Sequence, residues 1–571
     1  MAQDTYDFIV VGSGPSGSAV AAGLAAAPTR PTVLLLEAGG DNASRDLRVD
    51  GQRWTTLTTE GMNWGYKTTP QPECSNREID YSRGKGLGGS SAINFGVFSV
   101  GARDDYDEWA RLVGDEDFSW PKMQARFKAL ESFSMAVPEG TDPKYASPKP
   151  EAHGTQGPLK VGYAAEWEKD LTETVDIFEA GGWPVNPDHN SGNPLGMSVL
   201  INSSHKGTRS TANDLLTPRP DNLTIVTNAA VKRVLLDTAD PSKCIGVETM
   251  SGDKYLSSKE TILSAGALNT PKILMHSGIG PAAQLQQFSI PVAHDIPSIG
   301  QGLRDHMFAP LVYKRTPTST SRASFYGSET AMASALEAWK KDGSGDWAKY
   351  ACELGIGWAK LPSLQDTAEY KALPAAERAF LERPTIPHYE VITHFPIHWF
   401  IPGFPQDSLD YAAVIVFYYN AQSRGEVTLR SADPEEPLAF NPRYLEHEFD
   451  RKVAVESLRD TLRVLGQEAF TKDTLGQIAG PEGGEAASDE VLLGYWRETI
   501  SSSWHMTGTV KMGDEKDGDG PVDKEFRLKG VKGLRVADMS VVPVLASCHI
   551  QAVAYVTGVT AAEKLVAEYG L

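Results

Sequence analysis

The chain has 571 residues, more than a single core usually supports, so two domains are expected. With 41% hydrophobic and 22% charged residues it has an ordinary globular composition, and a formal net charge of −20 argues against nucleic acid and anionic membranes, which select basic surfaces. No apolar stretch is long enough to span a bilayer. A strand-like run begins within the first ten residues and leaves no room for a signal peptide, so a cytoplasmic location is expected for the chain as written, with secretion open if a leader was removed. Only in that second case would the sequons at Asn42, Asn202 and Asn222 matter. Cys74, Cys244, Cys352 and Cys548 lie far apart, without CxxC spacing, and are expected to be buried or incidental thiols; no metal site is expected.

The first element is the apolar run Tyr6-Asp7-Phe8-Ile9-Val10-Val11, which predicts a buried parallel strand and leads directly into Gly12-Ser13-Gly14-Pro15-Ser16-Gly17. Gly12 permits the tight turn, Gly14 lets backbone approach a pyrophosphate, and Gly17 lets the next helix pack close to the strand. That helix, expected from about Ser16 to Ala27, would turn its first amides and dipole toward phosphates. A second strand, Thr32 to Leu36, ends at Glu37, twenty residues beyond Gly17. A carboxylate there accepts hydrogen bonds from both ribose hydroxyls and repels a 2′-phosphate, which disfavours NADP. The strand, turn, helix and acid together predict dinucleotide binding, and leave FAD and NAD both open.

Further along, Ser82 to Asn94 is a second glycine-rich segment without strand or helix period. Its many free amides suit close approach to a flat or anionic ligand. Leu87, Ile93, Phe95, Val97 and Phe98 argue against a solvated linker. Lys340–Asp346 and Ala479–Glu485 read as loops, and Glu446 to Leu465 as an amphipathic helix. The aromatic run Ile392 to Ile401 precedes a strand-like run, Tyr411 to Tyr418.

Gly84-Lys85-x-Leu87-Gly88-Gly89-Ser90-Ser91-x-Ile93-Asn94-x-x-x-Phe98 resembles the first signature of the glucose-methanol-choline (GMC) flavoprotein oxidoreductases. The run Gly266 to Gly280 resembles the second, and further matches fall at Gly300–His306, Ser423–Val427 and Leu534–Asp538. The resemblance spans the chain in the family's order. It implies FAD rather than NAD, an α/β fold with a Rossmann-like FAD-binding domain, and an inserted α+β substrate-binding domain built on an antiparallel sheet. The expected FAD-binding pieces are 1–150, 209–310 and 501–571, and the substrate-binding pieces 151–208 and 311–500.

The resemblance also implies a cofactor site made by Gly12, Gly14, Ser16, Gly17, Glu37 and Ala38 at one end, with Arg83, Gly88, Gly89, Ser90, Asn94 and Phe95 along the flavin. Val231, Ala265, Asp538, His549 and Ile550 complete it. Non-covalent FAD is expected, because members with a covalent link carry histidine near the first signature, where this chain has Tyr81 and Lys85.

Oxidising an alcohol by hydride transfer requires the hydroxyl proton to leave at about the same stage, and a neutral imidazole is a suitable base. His505 and His549 match the family's catalytic pair, so His505 is expected as base and His549 as the partner that holds the substrate oxygen. His306 is expected to help a turn, and His447 to start a helix. The run Cys548-His549-Ile550-Gln551 resembles the formate-oxidase-like branch, whose members have arginine where this chain has His549. A permanent cation for a carboxylate substrate is thereby missing, and a neutral alcohol fits better. An aromatic pocket of Phe95, Phe98, His394, Phe395, Trp399 and Trp504 would suit an aryl or hydrophobic alcohol, as in the aryl-alcohol oxidase branch, with O2 or another acceptor reoxidising the flavin. The alternative is a lyase or decarboxylase on the same scaffold, without net redox turnover.

Overall fold

The computed structural model describes residues 5–164, 166–349, 354–401, 403–514 and 520–571. Cys352 lies outside the described residues; Cys74, Cys244 and Cys548 are buried free thiols. Two seven-stranded sheets organise the chain.

In the first sheet, Leu223–Val226, Val33–Leu36, Thr5–Val11 and Lys254–Leu263 lie parallel in that order, and Leu534–Val536 continues the parallel set beside Thr261–Leu263. Cys244–Thr249 and Val231–Leu236 extend it antiparallel. Val33–Leu36 is buried at every position, as a parallel strand covered on both faces must be. The first helix, Pro15–Ala25, begins one residue earlier and ends two earlier than expected. It packs against the last helix, Gln551–Tyr569, so closely that a Cβ on Gly558 would stand 2.2 Å from the Ser16 carbonyl oxygen. The Ser16 hydroxyl donates to the Ala554 carbonyl at 2.6 Å. The two ends of the chain thus share one layer.

The second sheet is antiparallel: Thr474–Ala479, Met307–Arg315, Tyr411–Tyr418, Tyr389–Thr393, Gly355–Ala359 and Gly196–Val199, with Ser501–Ser502 pairing the start of Met307–Arg315. Strand Met307–Arg315 runs across the boundary expected at 310/311, because its ladder to Tyr411–Tyr418 begins at Met307. The amphipathic helix is Glu448–Leu465, whose buried Val453, Leu458, Leu462 and Leu465 form its inward stripe. His447 caps it, accepting from the Phe449 amide at 3.1 Å. The loop expected from Lys340 starts later: helix Glu329–Asp342 continues to a glycine cap at Gly343. No helix among the described residues is long and apolar enough to cross a membrane.

Candidate active site

A cavity of about 540 Å³ runs from the Gly12–Gly14 turn, past Val231 and Ala265, to an inner end at His505 and His549 between the two sheets. Gly12, Gly14, Ser16, Glu37 and Ala38 line the outer part. Arg83, Gly89, Ser90, Asn94 and Phe95 line the middle, and Asp538, His549 and Ile550 face them.

The outer part fits a pyrophosphate. Helix Pro15–Ala25 has Gly14 as N-cap, no capping side chain and no acid in its first turn, so its leading amides and dipole stay open toward the cavity. Gly89, at φ +52°, presses its backbone against Gly14: a Cβ there would lie 2.6 Å from the Gly14 Cα. Two glycine turns therefore form a cradle that side chains would fill. Glu37 lines the cavity with its carboxylate fully engaged. One oxygen accepts from the Ser13 amide (2.9 Å) and hydroxyl (2.7 Å), the other from the Gly39 (3.0 Å) and Gly86 (2.9 Å) amides. A ribose diol there has to displace one of these donors. Asp538 accepts from the Gly266 amide at 2.9 Å, from the Thr270 hydroxyl at 2.6 Å and from the Ser540 amide at 2.7 Å, and burial pushes its carboxyl up.

The Gly89–Phe95 shelf is held by buried guanidinium groups. Arg53 donates to Asn94 Oδ1 at 3.1 Å, and Arg209 to the Asn94 carbonyl at 3.0 Å and to the Ala92 carbonyl. The Asn94 amide donates to Gln551 Oε1 at 3.1 Å, tying the shelf to the C-terminal helix.

Each histidine of the expected pair lies in a segment whose backbone is held by a buried aspartate. Asp305 accepts from the His505 amide (2.7 Å), the Ser502 hydroxyl (2.6 Å) and the Tyr444 hydroxyl. Burial pushes the Asp305 carboxyl up to about 6 despite these donors. Asp105 accepts from the Ser547 amide at 2.7 Å, two residues before His549, and burial raises it to about 7. The His549 amide donates to Ser99 Oγ at 2.9 Å. The two imidazole rings meet edge to face, centroids 4.8 Å apart.

Their surroundings differ. His505 Nδ1 lies 2.6 Å from Ser503 Oγ and 3.0 Å from His306 Nδ1, with no acid at its ring among the described residues. Burial above all, then the neighbouring His549, His306 and Arg83, hold it well below the usual histidine range, so it is neutral near pH 7. His549 Nε2 lies 2.8 Å from Glu390 Oε1. Glu390 has no solvent exposure, and its other oxygen accepts from the Tyr419 hydroxyl.

Five expected site residues do not line the cavity. Gly17 lies under the turn, where a Cβ would stand 1.9 Å from the Gly12 carbonyl oxygen; its function is close packing. Gly88, at φ +94°, supplies the bend that presents Gly89 and Ser90. Phe98 points into the core, fully buried, whereas Asn94 through Val97 line the cavity. His394 pairs with Asp170 (3.3 Å) and with Thr393 Oγ1 (2.7 Å), so its ring is consumed by structure. Trp399 stacks on Trp54 at 3.9 Å and is 38% exposed on the outside.

Phe395 and Trp504 do line the cavity, joined by Phe308, Phe417, Leu354, Ile392 and Ile415. Phe95 is their hub, in ring contact with Phe395 (5.1 Å), Phe400 (5.6 Å) and Trp504 (5.9 Å). His306 is no turn residue: it is fully buried, its ring against Tyr419 at 4.0 Å and its Nδ1 on His505. Glu390, Tyr419, Asp305 and Asp105 were not legible as site residues. An acid inside the apolar strand Tyr389-Glu390-Val391-Ile392 was the available signal.

Models of the GMC oxidoreductase family match residues 6–308 and 421–558. The oxygen-dependent choline dehydrogenase of Sinorhizobium medicae is 31% identical over 578 residues, 99% of this chain and 96% of the relative. A solved formate oxidase of Aspergillus oryzae, from work on FAD modification, superposes with a TM-score of 0.87 at 26% identity over 100% of both chains. A fungal aryl-alcohol oxidase shares the fold at TM-score 0.84 and 24% identity, over 100% of both chains.

Proposed function

The chain belongs to the GMC oxidoreductase family, and from that premise we propose that it oxidises a neutral, hydrophobic alcohol, aryl or of similar size, to its carbonyl. The family is FAD-dependent; bound FAD supplies a hydride acceptor. The residues that would hold it, without a covalent link, are the Gly12–Ser16 turn, the Gly89–Phe95 shelf, Asp538 and the 549–550 backbone.

The protein's part is positioning, proton handling and exclusion of water. The observation that carries the reading is an imidazole pair bordering an aromatic-lined cavity, with rings close enough to reach one substrate oxygen. His505, neutral through burial, is the base at the hydroxyl, and His549 is its partner on the same oxygen. Phe95, Phe395 and Trp504 surround the carbon side and favour an apolar substituent. A carboxylate substrate is disfavoured by Glu390, which puts a second acid 2.8 Å from His549. The lyase alternative finds no support in the relatives above, which are named as a dehydrogenase and as oxidases.

Anaerobic mixing with a panel of alcohols should bleach the flavin, and His505→Ala should slow this by roughly 10²- to 10⁴-fold, the usual worth of a general base. Readmitting air or adding a quinone then identifies the acceptor. A parent enzyme bleached by no alcohol would defeat the proposal.

A further inference from the structure

Strand Gln301–Leu303 pairs antiparallel with Gly425–Thr428, and the pair at the open end of this ladder is Leu303 with Gly425. Arg304 and Arg424 are the next residues out on the two strands, so they stand opposite one another. Successive residues alternate faces: Leu303 enters the core, fully buried, and both arginines take the other side. Like charges directly opposite destabilise a strand pair. Among the described residues, no ion pair relieves this one. Arg424 donates from one nitrogen to the Ala421 and Ser423 carbonyls, at 2.7 and 3.0 Å, and the Arg304 side chain makes no hydrogen bond. The acids whose charge reaches both are Asp450 and Glu377. The Asp450 oxygens are taken by the Gln422 and Ser423 amides, at 2.6 and 2.8 Å. Glu377, half-buried on helix Ala375–Glu382, stands beyond ion-pair distance. The arginines are half-buried too, which strengthens their repulsion over its value in water. Burial first, and then the Arg424 charge, push the Arg304 guanidinium down to about 9, still charged near pH 7.

We infer that Arg304 and Arg424 form a seat for a tetrahedral oxyanion, a phosphate or sulfate group, on the face of the ladder turned away from Leu303. Two planar N–H forks a strand spacing apart match a dianion with several acceptor oxygens, whereas a chloride offers both forks a single atom. The net charge of −20 repels anions from the surface at large, so an anion retained here is held by these two groups. Neither arginine lines the cavity, which separates the seat from the pyrophosphate cradle. The seat is nevertheless tied to the catalytic turn. Arg304 exchanges both of its backbone hydrogen bonds with Thr507, at 3.1 and 2.9 Å, two residues past His505, and the next residue, Asp305, accepts the His505 amide. A bound dianion cancels the repulsion and steadies the strand on which that turn rests.

The test is arginine modification by phenylglyoxal in the FAD-loaded enzyme, whose cofactor fills the cradle, with the rate at each arginine read by peptide mass spectrometry. At matched ionic strength, inorganic phosphate or sulfate at about 30 mM in place of chloride should slow Arg304 and Arg424 at least tenfold, as a dissociation constant of about 1 to 3 mM requires. Arg111, exposed and paired with Glu108, should react at the same rate in both salts. Arg304→Gln should abolish the protection of Arg424, and Arg304→Lys should keep part of it. Glu377→Gln, which removes a competing charge, should lower the phosphate concentration needed about threefold; it and Arg304→Lys carry the comparison if Arg304→Gln does not fold. Glycerol phosphate protecting equally well places the natural anion on a phosphorylated metabolite, and inorganic phosphate protecting alone makes it the free ion. Equal rates in phosphate and chloride, protection that extends to Arg111, or protection of Arg424 that survives Arg304→Gln would overturn the inference.

Discussion

Replacing Asp305 by asparagine separates what seats the catalytic loop from what stabilises the fold. The carboxylate receives three donors, the His505 amide and the Ser502 and Tyr444 hydroxyls, yet burial holds its carboxyl at about 6, above the ordinary 3.8. A carboxyl raised in the folded state binds its proton more tightly there than in the unfolded chain, so stability falls as pH rises from about 4 to 6. A shift of that size corresponds to about 3 kcal/mol of destabilisation at pH 7, at about 1.4 kcal/mol per pH unit. Asparagine removes that penalty. With its oxygen toward the His505 amide, its NH2 group faces two hydroxyls that can turn and accept, at a loss of about 1 kcal/mol each. The sum is near zero: thermal denaturation at pH 7 should place Asp305→Asn within about 1 kcal/mol of the parent. Between pH 4 and 6 the variant should lack the parent's decline. Flavin reduction should nevertheless fall roughly 10- to 100-fold, because the single remaining acceptor holds the 502–505 turn less firmly and misplacement of about 1 Å is that expensive. The turn has little slack to lose, with Trp504 at φ +58°. A loss of 3 kcal/mol or more at pH 7 would refute the argument by showing that the ionised carboxylate is a net stabiliser.

Three other outcomes are expected. Burial keeps His505 unprotonated as pH falls through the normal histidine range, so its ring resonances should hold their neutral-form shifts from pH 8 to 6; a midpoint near 6.5 would contradict this. His153 lies buried between Glu131 (3.1 Å) and Asp188 (3.3 Å), and although burial opposes its charge, the hydrogen bonds to Asp188 and Glu131 raise it to about 9. Its contribution is complete below about 6.5 and lost as pH rises through 9, so His153→Gln should cost about 3 kcal/mol in denaturation at pH 6 and progressively less toward pH 9.5. A pH-independent difference would rule this out. Gly89→Ala would force a Cβ to 2.6 Å from the Gly14 backbone at a positive φ, parting the two turns of the cradle; retained flavin, read from the visible spectrum after gel filtration, should drop at least tenfold. Full flavin content would show that the turns are not held by this contact.

The local patterns carried the cofactor half of the molecule. Glycines followed by a small-residue helix dictate a close turn and an open helix end wherever they occur, so the parts played by Gly12 and Gly14 were legible from spacing. The substrate half was legible mainly as composition. Local backbone conformation decides which aromatic faces inward, and the sequence between Asn94 and Phe98, with Gly96 at φ +84°, does not say that Phe95 takes the cavity side and Phe98 the core. The run Thr393 to Phe400 carries the same ambiguity. Phe395 reaches the chamber, whereas His394, at φ +66°, turns back onto Asp170.

By itself, then, the amino-acid order determined that a dinucleotide turn opens the chain and that buried apolar runs build the sheets, because these depend on backbone sterics and on burial of neighbouring side chains; the two histidines near its end were singled out by the family resemblance. Only the tertiary structure decided what stands beside each histidine. Asp305 and His306 reach His505 from about two hundred positions away, and Glu390 reaches His549 across 159. The proton affinity of an imidazole is set by whichever charges and dipoles the fold packs within a few ångströms of it, and such neighbours leave no mark on the residues adjacent in sequence.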